Sequence, residues 1–146
     1  MPYKNIAVVG AGGIGGPIAE ALLSEGANVV VVTRPESSSA KYFAAGIKVI
    51  SVTFTDVPAL AAAFKENKTE VVISTIGSAA LANQRLLGDA AKQAGVKLFL
   101  PSEFGFSTIG QTEGKVGLKS QFGEYLKEIG LPFARIFVSW VALIYV

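Results

Sequence analysis

The sequence predicts an α/β fold, a doubly wound parallel sheet with helices on both faces in a three-layer α/β/α arrangement. Three observations predict it. Apolar, β-branched runs alternate strictly with amphipathic helical segments. The runs are almost continuously apolar, as strands buried on both faces are. A glycine-rich loop joins the first run to the first helical segment.

Ile6–Val9 reads as a buried strand bounded by Asn5 and Gly10. Ile14–Ser24 carries Ile14, Ile18, Ala21 and Leu22 at helical spacing and stops at Gly26. Asn28–Val32 is a second strand, Ser37–Ala45 a short helix or loop, and Ile47–Thr53 a third strand. Asp56 is placed to cap a helix over Pro58–Phe64, with Pro58 in its first turn. Glu70–Thr75 is a fourth strand, Ala79–Ala94 a long helix ended by Gly95, and Val96–Leu100 a fifth strand stopped by Pro101. Phe104–Gly117, rich in Gly, Ser and Thr, reads as a loop. Leu118–Ile129 is a helix ended by Gly130, and Phe133–Val138 a sixth strand.

Composition bounds the chemistry. The chain has 146 residues, 51% hydrophobic and 16% charged, which suits one packed domain over 1–146 and argues against disorder. Its net charge of +2 is too small and scattered for a nucleic-acid surface. There is no Cys and no His, so disulfides, thiolate nucleophiles, Cys/His zinc sites and histidine bases are excluded, and no metal site is expected. Proton chemistry must use Lys, Tyr, Asp, Glu or a hydroxyl. No signal-peptide pattern opens the chain, and its apolar runs fall short of the roughly 20 residues that span a bilayer. The expectation is a soluble cytoplasmic protein with no membrane partner. The final run, Ile136 to Val146 with Trp140 inside it, ends without a polar tail and is a candidate surface for homo-oligomer formation.

Gly10-Ala-Gly-Gly-Ile-Gly-Gly16 follows the first strand and opens the first helix. Gly10, Gly12 and Gly15 satisfy one dinucleotide fingerprint; Gly10, Gly13 and Gly16 satisfy another. One glycine permits the tight turn, one lets a pyrophosphate approach the main chain, and one lets helix and strand pack closely. The helix N-terminus adds free N–H groups and partial positive charge. Gly10, Gly12, Gly13, Ile14, Gly15 and Gly16 are therefore the phosphate-binding candidates. The second strand ends Val32-Thr33-Arg34 and carries no acid to take a ribose 2′-hydroxyl. Arg34 stands where a 2′-phosphate would lie, and its fork matches phosphate oxygens. Thr33 and Ser37 to Ser39 add hydroxyl donors, and Lys41 adds charge. The cofactor expected is NADP.

The fourth strand runs into Thr75-Ile76-Gly77, small enough to pass beneath a nucleotide. The fifth runs into Pro101-Ser102-Glu103-Phe104-Gly105, across the switch point, where Phe104 is placed to lean on a nicotinamide and Ser102 and Glu103 to hold polar edges. Lys119 lies at the edge of an apolar stripe of Leu118, Phe122, Tyr125, Leu126 and Ile129. A lysine partly buried beside a dry site has a lowered pKa and serves as a proton donor or acceptor. Lys115 competes for that role, and a snorkelling surface lysine is the plain alternative for either.

Taken together, these residues resemble the NmrA-like and isoflavone-reductase-like branch of the short-chain dehydrogenase superfamily. The resemblance rests on the Gly10-x-x-Gly13-x-x-Gly16 loop, on Thr33-Arg34, and on the run from Gln84 through Ala94-Gly95-Val96-Lys97 to Pro101-Ser102-Glu103-Phe104-Gly105. It rests also on Lys119 followed by Gly130-Leu131-Pro132-Phe133. Plant reductases of this branch set a lysine eleven residues before the equivalent turn, a register that Lys119 fits and Lys115 does not. The resemblance implies a Rossmann-like sheet of order 3-2-1-4-5-6. It implies NADPH-dependent reduction of small, often aromatic molecules, with hydride from the cofactor and the proton handled by Lys119. Typical members continue past the sixth strand into a segment that builds the substrate pocket, so the resemblance covers the cofactor half. NmrA-type regulators, which bind dinucleotides without turnover and act on a protein partner, are the rival class; they usually lack the lysine.

Overall fold

A computed structural model describes residues 2–38 and 43–138. Its parallel strands β1 (Asn5–Val9), β2 (Asn28–Thr33), β3 (Lys48–Ser51), β4 (Val71–Ser74) and β5 (Leu98–Leu100) form one sheet in the order β3-β2-β1-β4-β5. β1 pairs with both β2 and β4, so the strand order reverses at its carboxyl end. The two-residue period of a strand sorts side chains onto two faces. Ala7, Val9, Val30, Val32, Val72 and Phe99 pack with α2 (Val57–Glu66), α3 (Gln84–Gln93) and α4 (Gly114–Glu128). Ile6, Val8, Val29, Val31, Val71 and Ile73 pack with α1 (Gly15–Ser24). Burying each of these Val, Ile and Phe side chains contributes about 1.5–3 kcal/mol. The helices seat closely where a side chain is absent: a Cβ on Gly88 of α3 would stand 3.3 Å from Phe122 and Leu126 of α4. Phe122 meets Phe99 edge-on, with ring centroids 5.6 Å apart.

Asp56 caps α2 as expected, its side chain accepting from Ala59 N at 3.0 Å. Four expectations need correction. The sixth strand is, among the described residues, a single parallel bridge from Phe133 to Phe99. Phe99 N donates to Pro132 O and Ala134 N donates to Phe99 O, but the next donor on that side is Pro101, which has no N–H. The helix expected over Ala79–Ala94 is a 3-10 segment, Ser78–Asn83, followed by α3; the pitch changes just before the buried Gln84. The loop expected over Phe104–Gly117 ends early, because α4 already begins at Gly114. Gly117 serves packing: a Cβ there would lie 2.5 Å from the Thr112 carbonyl carbon. Leu118 is not in the buried stripe but 44% exposed, while Phe122 and Leu126 are buried.

Ser39, Lys41, part of the segment expected over 37–45, and the apolar run 139–146 with Trp140 lie outside the described residues. Among the described residues, no helix is long and apolar enough to cross a membrane, and no acidic cluster is arranged to hold a metal.

Candidate functional site

A cleft of about 590 Å³ opens beyond the carboxyl ends of β1, β2, β4 and β5, at the point where the strand order reverses. Its floor is the loop after β1. Gly10 adopts φ +105°, a conformation that side-chain-bearing residues rarely enter. A Cβ there would lie 2.9 Å from Thr75 Oγ1, and one on Gly15 would lie 2.2 Å from Gly10 O. These two glycines thus let β1, α1 and the end of β4 converge. Thr75 locks the same junction: its hydroxyl lies 3.1 Å from both Val9 O and Gly10 O. Gly12 and Gly13 differ, since a Cβ on either meets nothing within 4 Å. Their main chain is open to the cleft. No side chain caps α1; within its first turn Gly16 N donates to Gly12 O, Ile18 N donates to Ile14 O and Pro17 has no N–H, so the main-chain donors open to a ligand are those of the loop ahead of the helix, Gly12 and Gly13.

The remaining candidates divide clearly. Gly10, Gly12, Gly13, Ile14, Thr33, Arg34, Thr75, Ile76, Gly77, Ser102, Glu103, Phe104 and Lys119 all line the cleft, as does Ser37. Gly15, Gly16 and Pro101 do not line it and support it from behind; Gly16 packs toward the Phe43 ring. Lys115 does not line it and is exposed.

On the β2 rim, Thr33 lines the cleft and is buried, and its hydroxyl has no hydrogen-bond partner. Arg34 Nη1 lies 3.4 Å from Glu36 Oε1, with both side chains more than half exposed. The acid missing at the end of β2 therefore stands two residues later, against the arginine. On the opposite rim Ser102 ties strand ends together: its N–H donates to Gln84 Oε1 and its hydroxyl donates to Ile76 O, each at 2.8 Å. Phe104 has φ +43°, uncommon for an aromatic residue and a local strain of the kind found at functional sites. The Glu103 side chain is only 1% exposed; Thr108 Oγ1 lies 3.1 and 3.0 Å from its two oxygens, and Arg135 Nε lies 3.6 Å away. Its carboxylate is engaged by protein groups. Its main-chain oxygen accepts from Lys119 Nζ at 2.8 Å. Lys119 is half-buried, and among the described residues this is the one hydrogen-bond partner of its ammonium.

Sequence reasoning missed Phe54. It is buried and lines both the cleft and a side pocket beyond Arg34, shared with Thr53, Thr55 and Asn83. The signal was available: β3 neighbours β2, so residues just past its end must abut Arg34. The 3-10 residues Ala80 and Leu81 were missed as lining because they were read as an ordinary helix.

The family model described as the NmrA-like family matches residues 2–146. The phenylcoumaran benzylic ether reductase IRL1 of Ginkgo biloba is 29% identical, over 93% of this chain and 49% of its own length. The leucoanthocyanidin reductase of Desmodium uncinatum is 31% identical, over 95% of this chain and 40% of its own. Among solved structures, the binary complex of leucoanthocyanidin reductase with NADPH from Vitis vinifera superposes with a TM-score of 0.81 at 29% identity, covering 92% of this chain and 49% of that one. The chain thus spans about half the length of the relatives it matches, or less.

Proposed function

The chain belongs to the NmrA-like family, and from that premise we propose that it is the cofactor-binding half of an NADPH-dependent reductase of small, aromatic-type molecules. The observation that carries the proposal is the two-ended cleft. Open glycine main chain and an unpartnered Thr33 hydroxyl lie toward one end, with Arg34 on the rim, and Lys119 lines the same space from α4.

The residues present fit a dinucleotide phosphate. Gly12 and Gly13 would receive the pyrophosphate on their N–H groups, because no side chain bars the approach. Arg34 would take the 2′-phosphate as a fork, with Thr33 and Ser37 donating beside it. Phe54 would close the adenine side, and Ile76 and Gly77 would pass under the ribose. NADPH, when bound, would supply a hydride. Lys119 would hold the proton at Nζ, anchored by Glu103 O, with the remaining ammonium hydrogens free to meet a substrate oxygen. The reductase relatives and the NADPH complex of one of them support the reading.

The test is NADPH oxidation with a panel of aromatic enones and benzylic ethers, using wild type and Lys119→Ala. Turnover that disappears in Lys119→Ala, with NADPH binding retained, is the expected result. Tight NADPH binding without turnover on any substrate would confine the chain to cofactor binding and overturn a reductase activity of its own.

A further inference from the structure

We propose that Arg135 is a positioning residue that holds Lys119 in register with the cleft. This rests on the reading of Lys119 as the proton-handling group. A lysine side chain has four rotatable bonds, and its ammonium is a point charge without directional preference, so its aim must come from its surroundings. Here the aim comes from one main-chain oxygen, that of Glu103.

Arg135 fixes both ends of that contact. Its Nε lies 3.6 Å from the Glu103 carboxylate, and its Nη2 donates to Ser120 O at 3.1 Å. Ser120 is the residue after Lys119 on α4. The guanidinium therefore spans from the end of β5 to the turn of α4 that carries the lysine. Glu103, Lys119, Ser120 and Arg135 form a closed ring of contacts. Side-chain exposures of 1% for Glu103 and 9% for Arg135 make the ring costly to open, because either charge alone would be left buried without its counterion. α4 is shaped to admit the group: a Cβ on Gly123 would fall 1.4 Å from Arg135 Nη2. Thr108 braces the carboxylate from the other side, and Ser120 Oγ accepts from Gly110 N at 3.2 Å.

The proposal is tested by nuclear magnetic resonance on protein carrying 13Cε-labelled lysine, with the Lys119 signal assigned by its loss in Lys119→Arg. In wild type that signal is expected apart from those of exposed lysines. In Arg135→Met it is expected to collapse onto the exposed-lysine position, and in Arg135→Lys to shift part of the way. Lys48, at the far edge of the sheet, should hold its position in both. If Arg135→Met fails to fold, the paired replacement Glu103→Met with Arg135→Leu removes both charges together and is read the same way. An unmoved Lys119 signal in a folded variant lacking the guanidinium overturns the proposal. The measurement needs no substrate, so failure of the reductase reading, seen as absent turnover, is separate from failure of the positioning role.

Discussion

Arg34 and Glu36 face each other on the outer rim of the cleft, Nη1 to Oε1 3.4 Å, where an incoming 2′-phosphate would compete with the carboxylate for the guanidinium. An exposed pair of this kind contributes at most about 1 kcal/mol. Glu36→Gln should therefore tighten NADPH binding by about two- to fivefold and leave NADH little changed. Arg34→Ala should weaken NADPH by about 10- to 100-fold, the value of a charged hydrogen bond, again sparing NADH. Calorimetric titration of both cofactors decides it, and equal losses for the two would remove the 2′-phosphate role.

Gly15→Ala and Gly12→Ala should separate folding from binding. The first forces a Cβ to 2.2 Å from Gly10 O and 2.4 Å from Thr75 Oγ1. Overpacking of that kind costs about 1–3 kcal/mol, so Tm should fall by roughly 5 °C or more. The second meets no protein atom within 4 Å. Its Tm without ligand should match wild type, while NADPH affinity drops at least about tenfold by obstruction of the pyrophosphate. Thermal melts with and without NADPH report both effects.

Glu70 predicts how the fold responds to acid. The Lys4 N–H, the Lys97 ammonium and the Asn5 N–H hold its carboxyl at about 2, down from 4.5. A carboxyl depressed in the folded state stabilises it above the unfolded value and loses that contribution as pH falls through the folded one. Glu70→Gln should therefore be less stable than wild type at pH 7. The gap should narrow from about pH 4.5 downward and close near pH 2. Urea unfolding at pH 7, 4 and 2.5 measures it; a gap as wide at pH 2.5 as at pH 7 would show that charge is not the source.

Gln84→Leu should destabilise by about 1–3 kcal/mol, because the buried Ser102 N–H loses its acceptor. Denaturant midpoints compare it with wild type. No change would mean that Ser102 finds another partner.

The parallel sheet and its glycine loop were legible because both depend on local patterns: runs such as Val29–Val32 and the spacing of Gly10, Gly12, Gly13, Gly15 and Gly16. The choice of Lys119 over Lys115 came from the family resemblance, through the spacing to the turn at Gly130, and α4 places Lys119, not Lys115, on the cleft. What escaped depends on contacts distant in sequence. Gly114 and Gly117 looked like loop residues, yet Gly117 is a contact point against Thr112. Glu103 reads as a holder of polar edges, but its carboxylate is met by Thr108 and by the distant Arg135. The end of the sixth strand was invisible because Pro101, a residue of the neighbouring segment, withholds the donor.

The two banks of the cleft differ in stiffness. Ser102 rivets the β4 and β5 ends to each other and to α3, whereas the β2 bank meets solvent through a guanidinium steadied by one exposed carboxylate. Under the proposed function, accommodation of differently sized nucleotides would fall to the β2 bank by simple side-chain rotation, and the opposite bank would stay a fixed template against which ring geometry is set.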